Sequence, residues 1–463
     1  MTLDNGQLLM GWGRAAPSAA WVVTPDKTED VNSLVSGPGP LLARGLGRSY
    51  GDAAQCAGGT VIDCTAIDGI DEPDRLTSRI RVQGGCSLDT LMRQIIPRGF
   101  FVPVTPGTRY VTVGGAIASD VHGKNHHRDG TISAHAERIA LATPTGPVEC
   151  GPDADPELYW ATAGGMGLTG VITDATFRLL PIETSKMLVD TERAVDLDSC
   201  MARMAETDTG HRYSVAWVDS LGKGRHLGRS VITVGDHAMA GDLPAKMARD
   251  PLQFGPRQLL AVPLTPPVSL LNPVTLAAFN EAWYRRAPKR RTGELQSIGA
   301  FFHPLDGVGN WNVLYGPRGF TQYQFVVPFG SEDVVRRVLE KLCAARAASF
   351  LAVLKRFGAA GAGHLSFPSE GWTLALDIPL GIKGLAAVLD ELDEIVANNG
   401  GRVYLSKDGR VRPEILHAMY PRLGEWNEVR HRVDPNGVLV SDLSRRLRLT
   451  GPRLRERNPG SHR

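Results

Sequence analysis

In the first third of the chain, short hydrophobic runs alternate with turn signals, as is typical of α/β organisation. WVV ends at Thr24 and a proline, which predicts a helix capped by Thr24 that runs to about Val35, and LLAR and TVID predict two strands. SRIRVQGG predicts a strand, followed by the helix SLDTLMRQIIPRG with Ser87 as N-cap and Gly99 at its end. AERIALATPTG, DPELYWAT and VITDATFRLLP predict a further strand, helix and strand.

From about residue 185 the pattern changes to strand-like runs such as SVAWV, RSVITV and WTLALDIPL, separated by amphipathic helices. This alternation predicts an antiparallel sheet with helices on one face. GRVYLSKDGR then precedes one long predicted helix, PEILHAMYPRLGEWNEVRHRV, and the segment DPNGVLVSDLSRRL. We therefore expect a first domain at 1–184, a second at 185–401, a return to the first at 402–449, and a basic, disordered tail at 450–463.

Composition limits the class of protein. The chain has 463 residues, 42% hydrophobic and 22% charged, which suits a soluble protein with more than one core. Its net charge is +2, but residues 444–463 hold seven Arg and one Glu, so the remainder carries −4. The body is not built to grip nucleic acid.

The six cysteines are scattered, which predicts reduced, mostly buried thiols and no metal site. The N-terminal MTLDNGQLLMGWG lacks a basic and an apolar region, and no run of 18 apolar residues occurs. We therefore expect neither a secretion signal nor a membrane span.

The segment 103–127, PVTPGTRYVTVGGAIASDVHGKNHH, combines turn residues, very small side chains and titratable groups. A backbone with little side-chain bulk lets a large ligand approach main-chain N–H groups, and His122 and Lys124 offer charge and proton transfer. This favours a cofactor site. A tight helix crossing followed by a polar loop stays the alternative, and His126 and His127 are expected to be structural.

Two further glycine clusters bear on that choice. The loop 43–52, ARGLGRSYGD, has three glycines and two arginines that would suit a diphosphate, although an exposed turn explains it equally well. The stretch 165–170 matches G-x-G-x-x-G but follows a predicted helix and precedes a strand. Because a dinucleotide fingerprint follows a strand and opens a helix, a classical NAD-binding domain is not expected.

The segment 250–276 carries six prolines among many Leu and Val residues, so it is predicted to be an apolar loop. A basic cluster follows at Arg285, Arg286, Lys289, Arg290 and Arg291. The apolar loop and the basic cluster together could dock a lipid phosphate or an anionic membrane surface. Alternatively, they could form a solvated lid.

Taken together, ARGLGRSYGD, PGTRYVTVGGAIASDVHGKNHH, GGMGLTG, FHPLD, YGPRGFTQYQF, LKRFG, HAMYPR and DPNGVLVSDL resemble the FAD-dependent oxidases of the vanillyl-alcohol-oxidase type. The resemblance is strongest to the branch that acts on polyprenylphosphoryl ribose, and it covers residues 8–449. It implies an α+β, two-domain fold of the vanillyl-alcohol-oxidase/PCMH type. In that fold 1–184 and 402–449 bind FAD, and 185–401 form the antiparallel-sheet substrate domain.

The resemblance also assigns residues. For FAD it implies Arg44, Gly45, Leu46, Gly47, Arg48, Ser49, Tyr50, Thr105, Gly107, Thr112, Gly114, Gly115, Ser119, His122, Gly123, Lys124, Asn125, Gly167, Gly170, Ile172 and Tyr404. For substrate it implies Lys124, Trp217, Gln322, Gln324, Lys355, Thr373 and Lys407. Lys407 is the first candidate for the catalytic group, with Lys124 and His122 next, although the sequence alone does not decide among the three.

The implied reaction oxidises the ribose 2′-hydroxyl by hydride transfer to flavin N5 and releases a 2′-keto sugar. It is the first half of an epimerisation that supplies an arabinose donor for actinobacterial cell-wall arabinan. A separate NAD(P)H-dependent short-chain reductase would complete it. The lipid substrate implies contact with the periphery of the inner membrane, on the cytoplasmic face, with the periplasmic face left open.

Three positions depart from the family pattern. Arg48 stands where some members attach FAD covalently through histidine, so FAD is expected to be non-covalent. Ala375 stands where the family has a cysteine, and Phe302 stands where it has a tyrosine. Both differences bear on how the substrate fits the site. Compounds that react with that cysteine should form no adduct here. Two other functions stay open: a soluble sugar or alditol oxidase of the same fold, and a flavin-binding scaffold without catalysis.

Overall fold

The computed structural model describes residues 6–258, 260–347 and 349–449, so the tail predicted at 450–463 lies outside the described residues. The strands up to residue 181 are β1 (Gln7–Leu9), β2 (Ser18–Val23), β3 (Leu41–Arg44), β4 (Thr60–Asp63), β5 (Arg79–Gln83), β6 (Phe100–Phe101), β7 (Ala136–Thr143), β8 (Gly146–Cys150), β9 (Val171–Arg178) and β10 (Leu180–Pro181). The helices are α1 (Thr28–Val35), α2 (Leu88–Ile95), α3 (Val113–Ala118), α4 (His126–Asp129) and α5 (Pro156–Thr162).

The strands beyond residue 185 are β11 (Lys186–Ala194), β12 (Tyr213–Val218), β13 (Ser230–His237), β14 (Leu260–Ala261), β15 (Arg290–Ser297), β16 (Val308–Gly309), β17 (Phe320–Val327), β18 (Ala352–Phe357), β19 (Gly371–Pro379) and β20 (Arg402–Val403). The helices are α6 (Leu197–Thr207), α7 (Pro273–Arg286), α8 (Ile298–Phe302), α9 (Glu332–Ala344), α10 (Leu385–Asn398), α11 (Pro413–Met419), α12 (Leu423–Val433) and α13 (Asp442–Arg446).

The first region contains two four-stranded sheets. One has the order β1-β2-β4-β3, with β2, β4 and β3 parallel, and the other is the antiparallel sheet β5-β9-β7-β8. Helix α1 joins them, because Val31 and Val35 are fully buried in one cluster with Ile62 of the first sheet and Val171 of the second. This cluster fixes the loop after β3, which is the glycine-arginine loop of the sequence.

The second region is organised around one eight-stranded antiparallel sheet of order β15-β11-β13-β12-β18-β19-β17-β20. Helices α6, α9 and α10 contact its strands, and their buried faces are amphipathic, as the sequence predicts. The α+β fold class expected from the sequence is confirmed.

The C-terminal segment contacts both regions. Strand β20 pairs with β17, whereas Leu439 pairs with Leu41 in a single parallel bridge. Arg446 then donates to both carboxylate oxygens of Asp52, at 2.8 and 2.9 Å, and to Asp408 Oδ2 at 2.8 Å. Because this segment contacts both regions, we keep the domain boundaries at 184, 401 and 449 as a proposal.

Most predicted elements are confirmed, including Ser87 as N-cap, whose Oγ accepts from the Thr90 N–H at 3.0 Å. Two predictions are wrong. Helix α1 begins at Thr28, because Pro25 is buried and the chain bends before the helix starts. The long C-terminal helix is two helices, α11 and α12, because Pro421 lacks an N–H and its ring blocks continuation.

Candidate active site

One cavity of about 1240 Å³ lies between the glycine-rich loops of the first region and one face of the eight-stranded sheet. Small-molecule sites usually measure roughly 300–1,000 Å³, so this cavity has room for a cofactor and a second ligand. Nearly all residues that the sequence assigned to FAD or substrate line it. Those lining it are Arg44, Gly45, Leu46, Gly47, Arg48, Ser49, Tyr50, Thr105, Gly107, Thr112, Gly114, Gly115, Ser119, His122, Gly123, Lys124, Gly167, Gly170, Ile172, Trp217, Gln322, Gln324, Lys355, Tyr404 and Lys407.

Two assigned residues are not brought to the cavity wall. The Asn125 amide donates to Pro103 O at 2.9 Å and to Asp129 Oδ2 at 2.6 Å, so its side chain braces the loop from behind. Thr373 is buried and accepts from Gln324 Nε2 at 3.4 Å. Its contact with a ligand would be indirect, through Gln324.

The loop after β3 forms a backbone cradle. Within the described residues, the N–H groups of residues 46–49 donate to no protein acceptor. Gly47 has φ of +62°, and a Cβ there would lie 2.3 Å from Arg44 Nη2. Consecutive free N–H groups in such a turn form a concave site for an anion.

The two arginines of this loop differ in role. Arg44 donates to Ala54 O at 2.7 Å and to Met10 O at 2.8 Å, so its guanidinium braces the cradle. Arg48 instead lies over the Trp12 ring, 3.9 Å from its centroid, and its buried Nε has no partner among the described residues. The sequence interpretation that both arginines fork onto phosphate is therefore supported by the geometry of Arg48 alone.

Glycines beside the cradle meet two different needs. A Cβ on Gly45 would lie 2.2 Å from Thr112 Oγ1, and that hydroxyl caps α3 by accepting from the Gly115 N–H at 3.2 Å. Gly107 and Gly167 line the cavity with no atom within 4 Å of an added Cβ, so side chains there would enter the cavity. The cradle, the Arg48 Nε that has no partner among the described residues, and the bare walls fit the diphosphate and rings of FAD.

The segment that begins at Thr105 is clamped to the second region by FHPLD. Thr105 Oγ1 lies 2.9 Å from His303 Nε2. Asp306 accepts from Thr108 Oγ1 at 2.7 Å and from the Arg109 N–H at 2.9 Å, and its carboxylate pairs with the Arg109 guanidinium at 3.3 Å. The family resemblance includes the FHPLD motif but implies no individual role for His303 or Asp306.

Three lysines enter the cavity. Burial lowers the pKa of Lys355 to about 8, and burial with the charge of Lys355 lowers the pKa of Lys124 to about 7. The pKa of Lys407 is also lowered to about 7 by burial, against the opposite effect of Asp377. Lys124 Nζ donates to the Phe301 carbonyl. Three ammonium groups in one cavity are unfavourable without an anion.

His122 is neutral in this environment, because burial and the charges of Lys355 and Lys407 hold its pKa well below the usual value. Gln324 Nε2 donates to His122 Nε2 at 3.1 Å, so this nitrogen is already occupied. The ring packs 5.3 Å from Tyr404, whose hydroxyl donates to Ser119 O at 2.7 Å. The arrangement favours a lysine over His122 as proton acceptor.

Asp377 is a further functional residue that the sequence analysis does not predict. It is fully buried, and its Oδ1 accepts from Gln322 Nε2 at 2.5 Å, which leaves the Gln322 Oε1 for another donor. Burial raises the pKa of Asp377 to about 7. A single carboxylate in the otherwise apolar strand GWTLALDIP was the available signal.

Lys407, Gln322 and Tyr50 lie together. Lys407 Nζ lies 3.9 Å from the centre of the Tyr50 ring, and the Gln322 amide is a hydrogen-bond neighbour of the Tyr50 hydroxyl. Ala375 and Phe302, the two departures from the family pattern, also line the cavity. Their side chains present no hydroxyl or thiol to a ligand.

In the described part of the chain, none of the helices has the length and apolarity needed to cross a membrane.

Comparison with known proteins agrees with this site. An FAD binding domain model matches residues 19–151, and a D-arabinono-1,4-lactone oxidase model matches residues 383–447. The chain is 43% identical over 451 residues to decaprenylphosphoryl-β-D-ribose oxidase of Mycolicibacterium smegmatis, covering 95% of this chain and 97% of that protein. It is 44% identical to an uncharacterised protein of Streptomyces coelicolor, covering 78% of this chain and 100% of that protein. A D-lactate dehydrogenase of Anaerostipes hadrus is 24% identical over 42% of this chain and 43% of that protein.

The cradle, the bare cavity walls and these matches agree on the cofactor, which is FAD, and on the class of enzyme. The chain belongs to the family of FAD-dependent oxidoreductases that includes decaprenylphosphoryl-β-D-ribose oxidase.

Proposed function

We propose that this protein oxidises the ribose 2′-hydroxyl of decaprenylphosphoryl-β-D-ribose to a 2′-keto sugar. The observation that carries the proposal is the convergence of Lys124, Lys355 and Lys407 on the cavity that the FAD cradle also lines. A phosphorylated sugar supplies an anion for Lys124 and Lys355 and a hydroxyl that Lys407 could deprotonate.

When bound, FAD supplies the two-electron acceptor for the alcohol. The backbone N–H groups of residues 46–49 and the guanidinium of Arg48 would hold its diphosphate. Gly107 and Gly167 would lie against its rings. Because Arg48 cannot form the histidyl bond of some relatives, the cofactor is non-covalent. Acid precipitation should release all flavin into the supernatant, and flavin retained in the pellet would contradict this.

Lys407 is the proposed proton acceptor. A pKa of about 7 leaves much of its amine neutral near neutral pH, which a general base requires. Gln322, which lies beside Tyr50 and Lys407 on the cavity wall, could hydrogen-bond a neighbouring sugar hydroxyl. The base would then be held against the same sugar edge that Gln322 orients.

Lys355 and Lys124 are proposed to bind the phosphate. Both line the cavity and both have lowered pKa values, which a nearby anion would raise again. Phosphate binding should therefore favour the protonated forms of Lys124 and Lys355. Lys407 remains to accept the proton of the sugar hydroxyl.

The test is anaerobic bleaching of the visible flavin absorbance. A short-chain prenylphosphoryl ribose should bleach it, whereas free ribose and alditols should not. Bleaching by alditols alone would support the soluble sugar oxidase instead. Flavin that no phosphoribosyl lipid bleaches would support a non-catalytic scaffold.

Completion of epimerisation requires an NAD(P)H-dependent reductase as partner, because the keto product needs a hydride donor. Peripheral membrane contact, on the cytoplasmic or the periplasmic face, is part of the proposal. Leu260, Leu264, Val268 and Val274 are 67–78% exposed and precede the basic cluster in the sequence. Sedimentation with anionic but not neutral vesicles would support this contact, and equal recovery with both would remove the charge argument.

A further inference from the structure

The cavity has an arm that the proposed chemistry does not use. Its floor is the face of the eight-stranded sheet opposite α6, α9 and α10, because cavity-lining residues alternate along the strands. These residues are Gln296 of β15, Thr191 of β11, Val215 and Trp217 of β12, Val231 and Thr233 of β13, Val353 and Lys355 of β18, Ala375 of β19, and Gln322 and Gln324 of β17.

The chemistry of this floor changes across the sheet. Gln322, Gln324 and Lys355 lie on β17 and β18, nearest the FAD cradle and Lys407. Val215, Trp217 and Val231 on β12 and β13 then form an apolar stretch, beyond which Thr233, Thr191 and Gln296 line the far end. The register places Trp217 opposite Val231 on one side and Val353 on the other. A ligand lying on this floor would be polar at one end and apolar at the other.

Helix α7 covers the apolar half of the floor. Thr275, Leu276, Phe279, Trp283 and Arg286 line the cavity from one face of the helix, at intervals of one, three and four residues. Phe279 and Trp283 stack with ring centres 5.9 Å apart, and they stay 41% and 44% exposed. Aromatic rings that face a cavity without being buried leave apolar area for a ligand to cover.

Aromatic side chains join the roof to the floor and so bound the channel on one side. The Trp217 and Trp283 ring centres are 6.5 Å apart, and Phe350 contacts Phe279 edge-on at 6.0 Å. The Trp217 indole N–H donates to Phe350 O at 3.0 Å, so its polar group is satisfied and its rings remain as an apolar wall.

We propose that the channel between α7 and the apolar half of the sheet binds the isoprenoid chain of the lipid substrate. This inference rests on the proposed function, because the sugar and phosphate would occupy the polar half. From β18 to β11 the channel crosses three strand spacings, about 14 Å. Each isoprene unit adds four carbon–carbon bonds, which advance about 5 Å along an extended zigzag chain, so about three units fit.

The test is a series of prenylphosphoryl riboses with one, two, three, four and ten isoprene units, assayed in detergent. With wild-type protein kcat/KM should rise up to about three units and then level off. Phe279→Ala and Trp283→Ala should each lose about tenfold on the three-unit substrate and less than twofold on the one-unit substrate. Ala277→Ser, on an exposed face of the same helix and outside the cavity, is the matched control and should change neither value.

Two outcomes would overturn the inference while leaving sugar oxidation intact: a flat chain-length dependence in the wild-type protein, or an equal loss on every substrate in the variants. Flavin content and the midpoint of thermal unfolding show whether each variant is folded. If no substrate is oxidised, the proposed function fails, and equilibrium dialysis with farnesyl phosphate tests the channel independently. Tighter binding by wild-type protein than by Trp283→Ala supports it, and equal binding rejects it.

Discussion

Asp306 links the FAD-side loop to the second region, and its removal should cost more stability than any surface ion pair. In Asp306→Ala, Thr108 and the Arg109 N–H lose their acceptor, and the Arg109 guanidinium loses one of two carboxylates. Arg109 is 2% exposed and Asp306 is 5% exposed, so water cannot replace the lost bonds without rearrangement.

The size of the effect follows from what remains. Breaking a buried ion pair by removing one partner typically costs about 3–5 kcal/mol. Arg109 keeps Asp89, whose Oδ1 lies 2.5 Å from its Nε, so we expect the lower end, about 3 kcal/mol. Thr105 and Thr108 line the cavity beside the loop, so flavin affinity should fall together with stability.

The assay is thermal unfolding of the holoprotein, followed by flavin fluorescence. Asp306→Ala should lower the midpoint by on the order of 5 °C, and Asp306→Asn by less, since its amide oxygen can still accept. Asp174→Ala is the control, because Asp174 pairs with Arg81 on the surface and should cost less than about 1 kcal/mol. Equal midpoints for Asp306→Ala and Asp174→Ala would refute the reasoning.

Three further predictions concern the site. Lys407→Met should slow anaerobic flavin reduction at least about 100-fold while flavin content is unchanged, and a smaller effect would move the base elsewhere. If activity needs neutral Lys407, the rate should rise with pH through about 7. Because Asp377 raises the pKa of Lys407, Asp377→Asn should shift this rising limb of the pH–rate profile to lower pH. A profile that does not move would count against coupling between the two residues. Gly45→Val should purify without flavin because its Cβ would strike Thr112, whereas Gly241→Val, with no atom within 4 Å of the added Cβ, should stay yellow.

Local signals predicted most of the fold because they act within one or two turns of chain. Ser87 caps α2 through its own neighbour, and a glycine at Gly99 ends the following turn with φ of +86°. The start of α1 was wrong because Pro25 packs into the core, which is a tertiary effect. The break at Pro421 was available from the sequence and outweighs the apolar periodicity that favoured one helix.

The site was less predictable because its pairings are distant in sequence. Glycine-rich segments indicated the cavity wall. The different roles of Arg44 and Arg48, however, depend on contacts of Arg44 with Met10 and Ala54 and of Arg48 with Trp12. Asp377 meets Gln322 only through the register of β17 and β19. No spacing rule connects such residues, so their roles emerged from the strand pairing.

The ion pair between Arg446 and Asp52 has a consequence for biosynthesis. Asp52 directly follows the FAD cradle, and its partner is synthesised 394 residues later. The parallel bridge between Leu41 and Leu439 spans a similar interval. The first sheet therefore leaves the ribosome early but is completed only when the last described helix has emerged. A nascent chain that lacks this last helix should hold flavin weakly. Cofactor loading is then a late, post-translational event.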